Sequence, residues 1–247
     1  MDYVWNWRIF LQSTAAGAGK YWEWYLSGLG WTLAVALLAW AIAFAVGSIV
    51  GVIRTMPYRW LSFLGDAYVQ VFRNIPIIVQ MFLWYFVMPE LVPESIGTWI
   101  KTELPLPSFT TAVVALGIYT SARVAEQVKA GINSLPPDQK HAGLALGLTL
   151  PSTYLHVILP MAYRVIIPPL TSEFMSVFKN SAVALTIGLV ELTAVARKMN
   201  EYTFQGFEAF LVATAIYMGI AFIVNRTMAL VEKKLSLPGY IGTSNSR

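Results

Sequence analysis

The chain has 247 residues, 57% of them apolar and only 12% charged. A soluble domain carries about 25% charged residues and needs polar side chains to cover its surface, so a bilayer is the phase left to cover this one. The formal charge of +4 is scattered and forms no nucleic-acid patch. Without cysteine there is no disulfide, thiolate ligand or thiol nucleophile. His141 and His156 fit neither zinc spacing nor a catalytic pattern and are expected on polar surface.

Residues 1–20 lack the basic start and apolar core of a signal peptide. The first long apolar segment is therefore expected to stay as a helix. No charge occurs between Trp24 and Ile53, and about 20 apolar residues suffice to cross a bilayer. The first span is placed at 26–53, ending before Arg54, Pro57 and Arg59. The next segment is amphipathic, with Asp66 and Gln70 on its polar side, and Pro76 breaks or kinks it. One broken second span is expected over 64–87. Residues 89–107 read as a loop, and 108–132 as the third span.

Residues 133–160 are too polar and too interrupted for an ordinary span. They read as a short Ala/Gly/Leu helix stopped by Pro151, followed by a second segment returning to Pro160. Small residues at Ala142, Gly143, Ala145 and Gly147 would let another surface approach the backbone, which suits docking into a partner's groove. The fourth span is placed at 162–189, with Pro168-Pro169 near its start. A polar loop follows over 191–205, then the fifth span at 208–230 and a tail over 232–247. No internal repeat stands out, and the whole of 1–247 reads as one transmembrane domain.

Lys and Arg concentrate on cytoplasmic loops. Arg54, Arg59, Lys129, Lys140, Arg164, Lys233, Lys234 and Arg247 fall on one set of ends, and Arg8, Lys20, Lys101, Arg197 and Lys198 on the other. Residues 1–25 are thus expected outside the cell, in the periplasm, and 133–160 and 232–247 in the cytoplasm. Trp5, Trp7, Trp22, Trp24, Trp31, Trp60, Trp84 and Trp99 cluster near span ends as an interfacial belt.

Ala15-Ala16-Gly17-Ala18-Gly19-Lys20 imitates a phosphate loop, but Thr14 stands where its first Gly belongs and Tyr21 where Ser or Thr belongs. ATP binding by this chain is not expected. Neither a cofactor nor a metal site is expected. An intramembrane enzyme would need paired Asp residues, a His cluster or a Ser/Lys pair in good context. An ion-coupled secondary carrier remains the alternative to a permease, although such folds show internal repeats and more spans.

His141-Ala142-Gly143, Gly147 four residues later and the ending Val157-Ile158-Leu159-Pro160 resemble the EAA loop of ABC-importer permeases. His141 stands for the Glu of that triplet and Gly143 for its second Ala. Phe72-Arg73-Asn74-Ile75-Pro76-Ile77-Ile78-Val79-Gln80, the stretch Ala122-Arg123-Val124-Ala125-Glu126 and Lys179-Asn180-Ser181 resemble segments of polar amino-acid importers. The look is nearest to glutamate/aspartate permeases. The resemblance implies an all-α, type I importer permease of the inner membrane, with five transmembrane helices and a cytoplasmic coupling helix. It further implies two ATP-binding subunits docked at His141, Ala142, Gly143, Gly147, Leu159 and Pro160, a second permease chain, and a periplasmic amino-acid-binding protein.

A charge inside the bilayer costs about 2.5–3.5 kcal/mol on insertion scales, so it is usually paired or lines a cavity. Arg73, Arg123, Glu126, Glu173 and Lys179 are such charges. Arg123 and Glu126, three apart, could pair with each other. Alternatively Arg123 faces the pathway, where its guanidinium suits a substrate carboxylate. In the family that position is usually uncharged, which makes Arg123 the candidate for specificity. Arg73, Asn74, Lys179, Asn180 and Ser181 complete the pathway candidates, with snorkelling as the alternative for Arg73 and interhelical hydrogen bonds as the alternative for Lys179, Asn180 and Ser181.

Overall fold

The computed structural model describes residues 3–14, 17 and 19–235. The end of the expected tail, including Arg247, and part of the phosphate-loop imitation lie outside the described residues. Among those described, helices are the only extended secondary structure.

The chain enters through a short 3₁₀ turn, Trp7–Leu11. Backbone bonds from Thr14 N to Gly19 O (2.9 Å) and Tyr21 N to Gln12 O (3.3 Å) then close a small loop. Gly17 and Gly19 take φ of +71° and +81° there, values glycine reaches without steric cost. The glycines that imitate a phosphate loop serve this turn.

Helix α1, Tyr21–Ile53, is about 50 Å long at 1.5 Å per residue, ample for a hydrocarbon core of about 30 Å. Helix α2, Arg59–Asn74, is amphipathic. It stops because the residue before a proline is pushed out of helical conformation. The axis bends by 102° before α3, Ile77–Leu91. Helix α4, Glu94–Thr102, precedes a second bend of 115° into α5, Pro107–Asn133. Helix α6 is Pro137–Ala145, α7 is Leu150–Ile187, α8 is Leu192–Thr203 and α9 is Gly206–Leu235. Helices α1, α7 and α9 are each long and apolar enough to cross a membrane, and the two bent pairs bring the candidates to five.

Four expectations need correction. Residues 89–107 contain helix α4. The polar loop at 191–205 is the helix α8. Its buried residues Leu192, Val195, Ala196 and Met199 follow the 3, 4 and 7 spacing of an amphipathic helix. Pro151 does not stop α6. That helix ends earlier, where Gly147 turns left-handed at φ +84° and Leu148 N bonds Gly143 O at 3.1 Å, as αL caps do. Pro151 instead occupies the first turn of α7, behind a Thr149 cap, where its missing N–H costs nothing.

Nor does Pro160 close a segment, since α7 runs straight through it. A proline inside a helix crowds the carbonyl four residues back. For Pro160 that carbonyl belongs to His156, inside a π-turn at Tyr154–Ile158. For Pro89 it belongs to Tyr85, inside the π-turn Leu83–Val87. The same wide turn accommodates both prolines. Pro168 and Pro169 lie within the α-helical part of α7.

The chain forms two compact units, each discontinuous in sequence. The first comprises Met1–Ala41, Ile75–Gly117 and Ser176–Ile223, and the second Ile42–Asn74, Ile118–Met175 and Val224–Arg247. The first unit packs Ile9, Tyr21, Tyr25, Leu192, Val195, Ala196, Met199, Ala209 and Ala213 together. Its N-terminal segment is tied to Glu208 by Tyr3 Oη and by Asn6 N at 2.6 Å. In the second unit α1 lies close on α5: a Cβ on Gly47 would stand 2.6 Å from Ser121 O and from Val124 Cβ.

Candidate functional site

Two assemblies in the second unit carry the chemistry found in the sequence. The first is a charge network that joins the end of α1 to α2, α5 and α7. Arg54, just past α1, has a side chain only 5% exposed. Its Nε donates to Asp66 Oδ1 of α2 at 2.7 Å and its Nη2 to Glu126 Oε1 of α5 at 3.0 Å. Lys129 Nζ donates to the same Asp66 oxygen at 3.0 Å. Arg73 Nη1 reaches the same Glu126 oxygen at 3.5 Å. One buried guanidinium thus clamps two helices through two carboxylates, each held by a second cation.

Arg123 and Glu126 do not pair. Glu126 is taken by Arg54 and Arg73, while Arg123 turns towards α7, with Nη1 3.9 Å from Glu173 Oε1. Tyr119, one helical turn before Arg123, accepts from its Nη2 at 2.9 Å. Its ring lies 5.2 Å below the guanidinium carbon, within cation–π range. Arg123 remains 42% exposed and Glu173 14%. Buried Arg123 Nε and Glu173 Oε2 have no hydrogen-bond partner.

The remaining pathway candidates have other surroundings in each unit. Asn74 Nδ2 donates to Gln70 Oε1 at 3.1 Å on an exposed face. Lys179 is exposed and Asn180 half-buried. Ser181 is fully buried, its hydroxyl donated to Phe178 O at 2.7 Å. Sequence reasoning placed Arg54 at a span end and Asp66 on a polar face without joining them. The signal was there: α2 carries Asp66, Gln70 and Arg73 along one face, beside the first cation after a long uncharged helix.

The second assembly is α6 and the turn after it. His141, Ala142, Leu144, Ala145, Leu146 and Gly147 are exposed, Leu146 by 83%. Gly143 is buried and faces inward, where a Cβ would meet Thr153 Cγ2 at 2.8 Å. Its small size therefore serves packing within the chain, and Gly147 serves the left-handed turn. Ala142, Ala145 and Gly147 among the small residues lie on open surface. Tyr154 Oη donates to Thr55 O at 2.8 Å, tying this region to the turn after α1, and Lys140 Nζ lies 5.6 Å over the Tyr154 ring. His156 is exposed beside Ser152, 3.2 Å away. Leu159 is half-buried and Pro160 exposed.

The family of binding-protein-dependent transport system inner membrane components matches residues 43–237. The chain belongs to that family. Inner membrane components of this kind are multi-pass, as the spans here require. The glutamate/aspartate import permease protein GltJ of Escherichia coli (strain K12) is 51% identical over 98% of this chain and 99% of its own. A probable glutamine ABC transporter permease protein of Bacillus subtilis (strain 168) is 32% identical over 85% of this chain and 93% of its own. A chain of an amino acid ABC transporter crystallised with histidines superposes with a TM-score of 0.72 at 30% identity, covering 87% of this chain and 95% of that one. The inward-facing methionine transporter MetNI shares the fold at TM-score 0.72 and 19% identity, over 87% of this chain and 97% of that one. The inner membrane component is thus built on the type I importer fold.

Outside the spans, Glu191 is the most enclosed charge of the first unit. Its Oε2 and Oε1 accept from Thr193 N (2.9 Å) and Ala194 N (2.8 Å) at the start of α8, and Tyr217 Oη donates to Oε2 at 2.9 Å. Burial pushes its carboxyl above the usual range, and these bonds offset only part of that rise.

Proposed function

We propose that this chain is the permease subunit of an ATP-driven importer of acidic amino acids and moves its substrate by alternating access. The observation that carries this reading is Arg123, a half-exposed guanidinium inside a spanning helix, held from below by Tyr119 and left with unused donors. A guanidinium with free N–H groups matches a carboxylate in two-point fashion. The extensive identity to a glutamate/aspartate permease supports the same substrate class. Arg73 and Asn74 flank the route on α2. Glu126 holds the helices together and does not meet substrate.

The chain carries no ATPase site of its own in this reading. Two ATP-binding subunits dock on the exposed Ala142, Leu144, Ala145 and Leu146, between His141 and Pro160 on the cytoplasmic side. A rigid link from that surface through Tyr154 to the end of α1 passes their motion to the spans. A second permease chain, identical or related, completes the pathway, and a periplasmic binding protein delivers the substrate to the face bearing residues 1–25.

Reconstitution in liposomes with the ATP-binding subunits and binding protein tests both assemblies. Arg123→Ala is expected to abolish glutamate uptake while the complex still co-purifies. Leu146→Glu is expected to release the ATP-binding subunits. Unchanged uptake rate and KM for Arg123→Ala would sink the substrate assignment. Uptake driven by an ion gradient in liposomes holding this chain alone would sink the importer.

A further inference from the structure

We infer that Glu173 is the receptor for the substrate's α-ammonium, so that Arg123 and Glu173 together read an amino acid by both of its charges. This rests on Arg123 as the carboxylate receptor. The two side chains face each other at 3.9 Å, too far for a hydrogen bond. Each leaves one buried polar atom unmet, a donor on Arg123 Nε and an acceptor on Glu173 Oε2. A buried polar atom without a partner is costly and rare, and here two of opposite kind sit on a single ion pair.

The other carboxylates of the network are spent. Asp66 holds Arg54 and Lys129, and Glu126 holds Arg54 and Arg73. Glu173 has no close cation, only Arg123 at 3.9 Å and the more remote charge of Arg73, and it keeps a free oxygen. Tyr119 keeps the guanidinium from collapsing onto it, by the 2.9 Å bond to Nη2 and by its ring. The Arg123 side chain is 42% exposed and that of Glu173 14%. A ligand offering one carboxylate and one ammonium that parts the pair complements both groups, whereas a second carboxylate in place of the ammonium would face Glu173 with like charge.

The test measures L-glutamate and glutarate, which lacks the ammonium, binding to the purified complex with its ATP-binding subunits and without binding protein. The wild type is expected to prefer L-glutamate. Glu173→Gln should weaken L-glutamate by about tenfold or more, the scale of one charged hydrogen bond. It should leave glutarate unchanged or tighter, collapsing the preference. Glu173→Asp should keep the preference at lower affinity, and it serves if the Gln variant fails to assemble. An equal loss for both ligands in Glu173→Gln, or an unchanged preference, overturns the inference while Arg123 stands. Arg123→Gln should weaken both ligands, and if it weakens neither, the reading of Arg123 fails instead.

Discussion

Arg54→Met is expected to destabilise the protein by about 2–3 kcal/mol. Stranding one charge of a buried pair costs about 3–5 kcal/mol, and Arg54 at 5% exposure is buried. Its two carboxylates are not stranded by the substitution. Asp66 keeps Lys129 at 3.0 Å and Glu126 keeps Arg73 at 3.5 Å. At 42% and 31% exposure, both also retain water. What is lost is two charge-assisted hydrogen bonds, each worth about 1.5 kcal/mol at the low end. Methionine fills most of the space, and removing Nη1, which lacks a partner, returns a little. Arg54→Lys sharpens the test, because one ammonium cannot span the two carboxylates that Nε and Nη2 hold separately. It should recover less than half of the loss. Equilibrium unfolding in mixed micelles, followed by tryptophan fluorescence, gives the free energies. A loss for Arg54→Met below about 0.5 kcal/mol, the level of an ordinary surface change, or full recovery by lysine, would refute the clamp.

Gly47→Val should cost about 1–3 kcal/mol by overpacking, since a Cβ there meets the backbone oxygen of Ser121; the same unfolding assay reads it. Glu191→Ala should cost about 0.5–2 kcal/mol through loss of the α8 cap. Because burial raises the Glu191 pKa in the folded state, its contribution is fully present below the ordinary value of about 4.3 and is lost as pH rises through the raised one. The wild-type minus Glu191→Gln difference in stability should show that fall, and a flat difference would contradict it. Gly147→Ala meets no atom within 4 Å and should cost only the left-handed backbone, about 1 kcal/mol. Gly143→Val, by contrast, should displace α6 from Thr153 and lower the ATPase rate of the assembled complex more than Gly147→Ala does.

What the sequence made legible were long runs and breaks. An uncharged stretch ending at Arg54 can only be a spanning helix, and Pro76 with Ile75 before it can only interrupt one. Prolines elsewhere misled, because Pro151 and Pro160 signal a lost N–H without saying how the helix absorbs it. First-turn placement and a π-turn let α7 continue past both. Helix α8 was hidden because Thr193, Arg197, Lys198, Asn200 and Glu201 dominate its composition while its buried stripe is only four residues. Gly143 and Gly147 were legible as special and illegible in purpose. Thr153 explains the first and the left-handed turn the second, and neither can be seen from spacing.

The ion pairs show the deeper limit. Three residues of separation on one helix made an Arg123–Glu126 pair reasonable, but partners on other helices won: Arg54 for Glu126 and Glu173 for Arg123. Local spacing fixes which face a side chain takes and not which helix arrives opposite. Taken together, four cations, Arg54, Arg73, Arg123 and Lys129, meet three carboxylates, Asp66, Glu126 and Glu173. Arg54 and Lys129 are held by close bonds, so the surplus positive charge falls to the more exposed Arg73 and Arg123. Surplus charge within a membrane protein is expensive unless something of opposite sign visits it. A glutamate or aspartate, with two carboxylates and one ammonium, brings the single negative charge that cancels it. A glutamine or asparagine brings none, so under the proposed function uptake through this chain is expected to favour acids over amides, and equal uptake of glutamate and glutamine would contradict it.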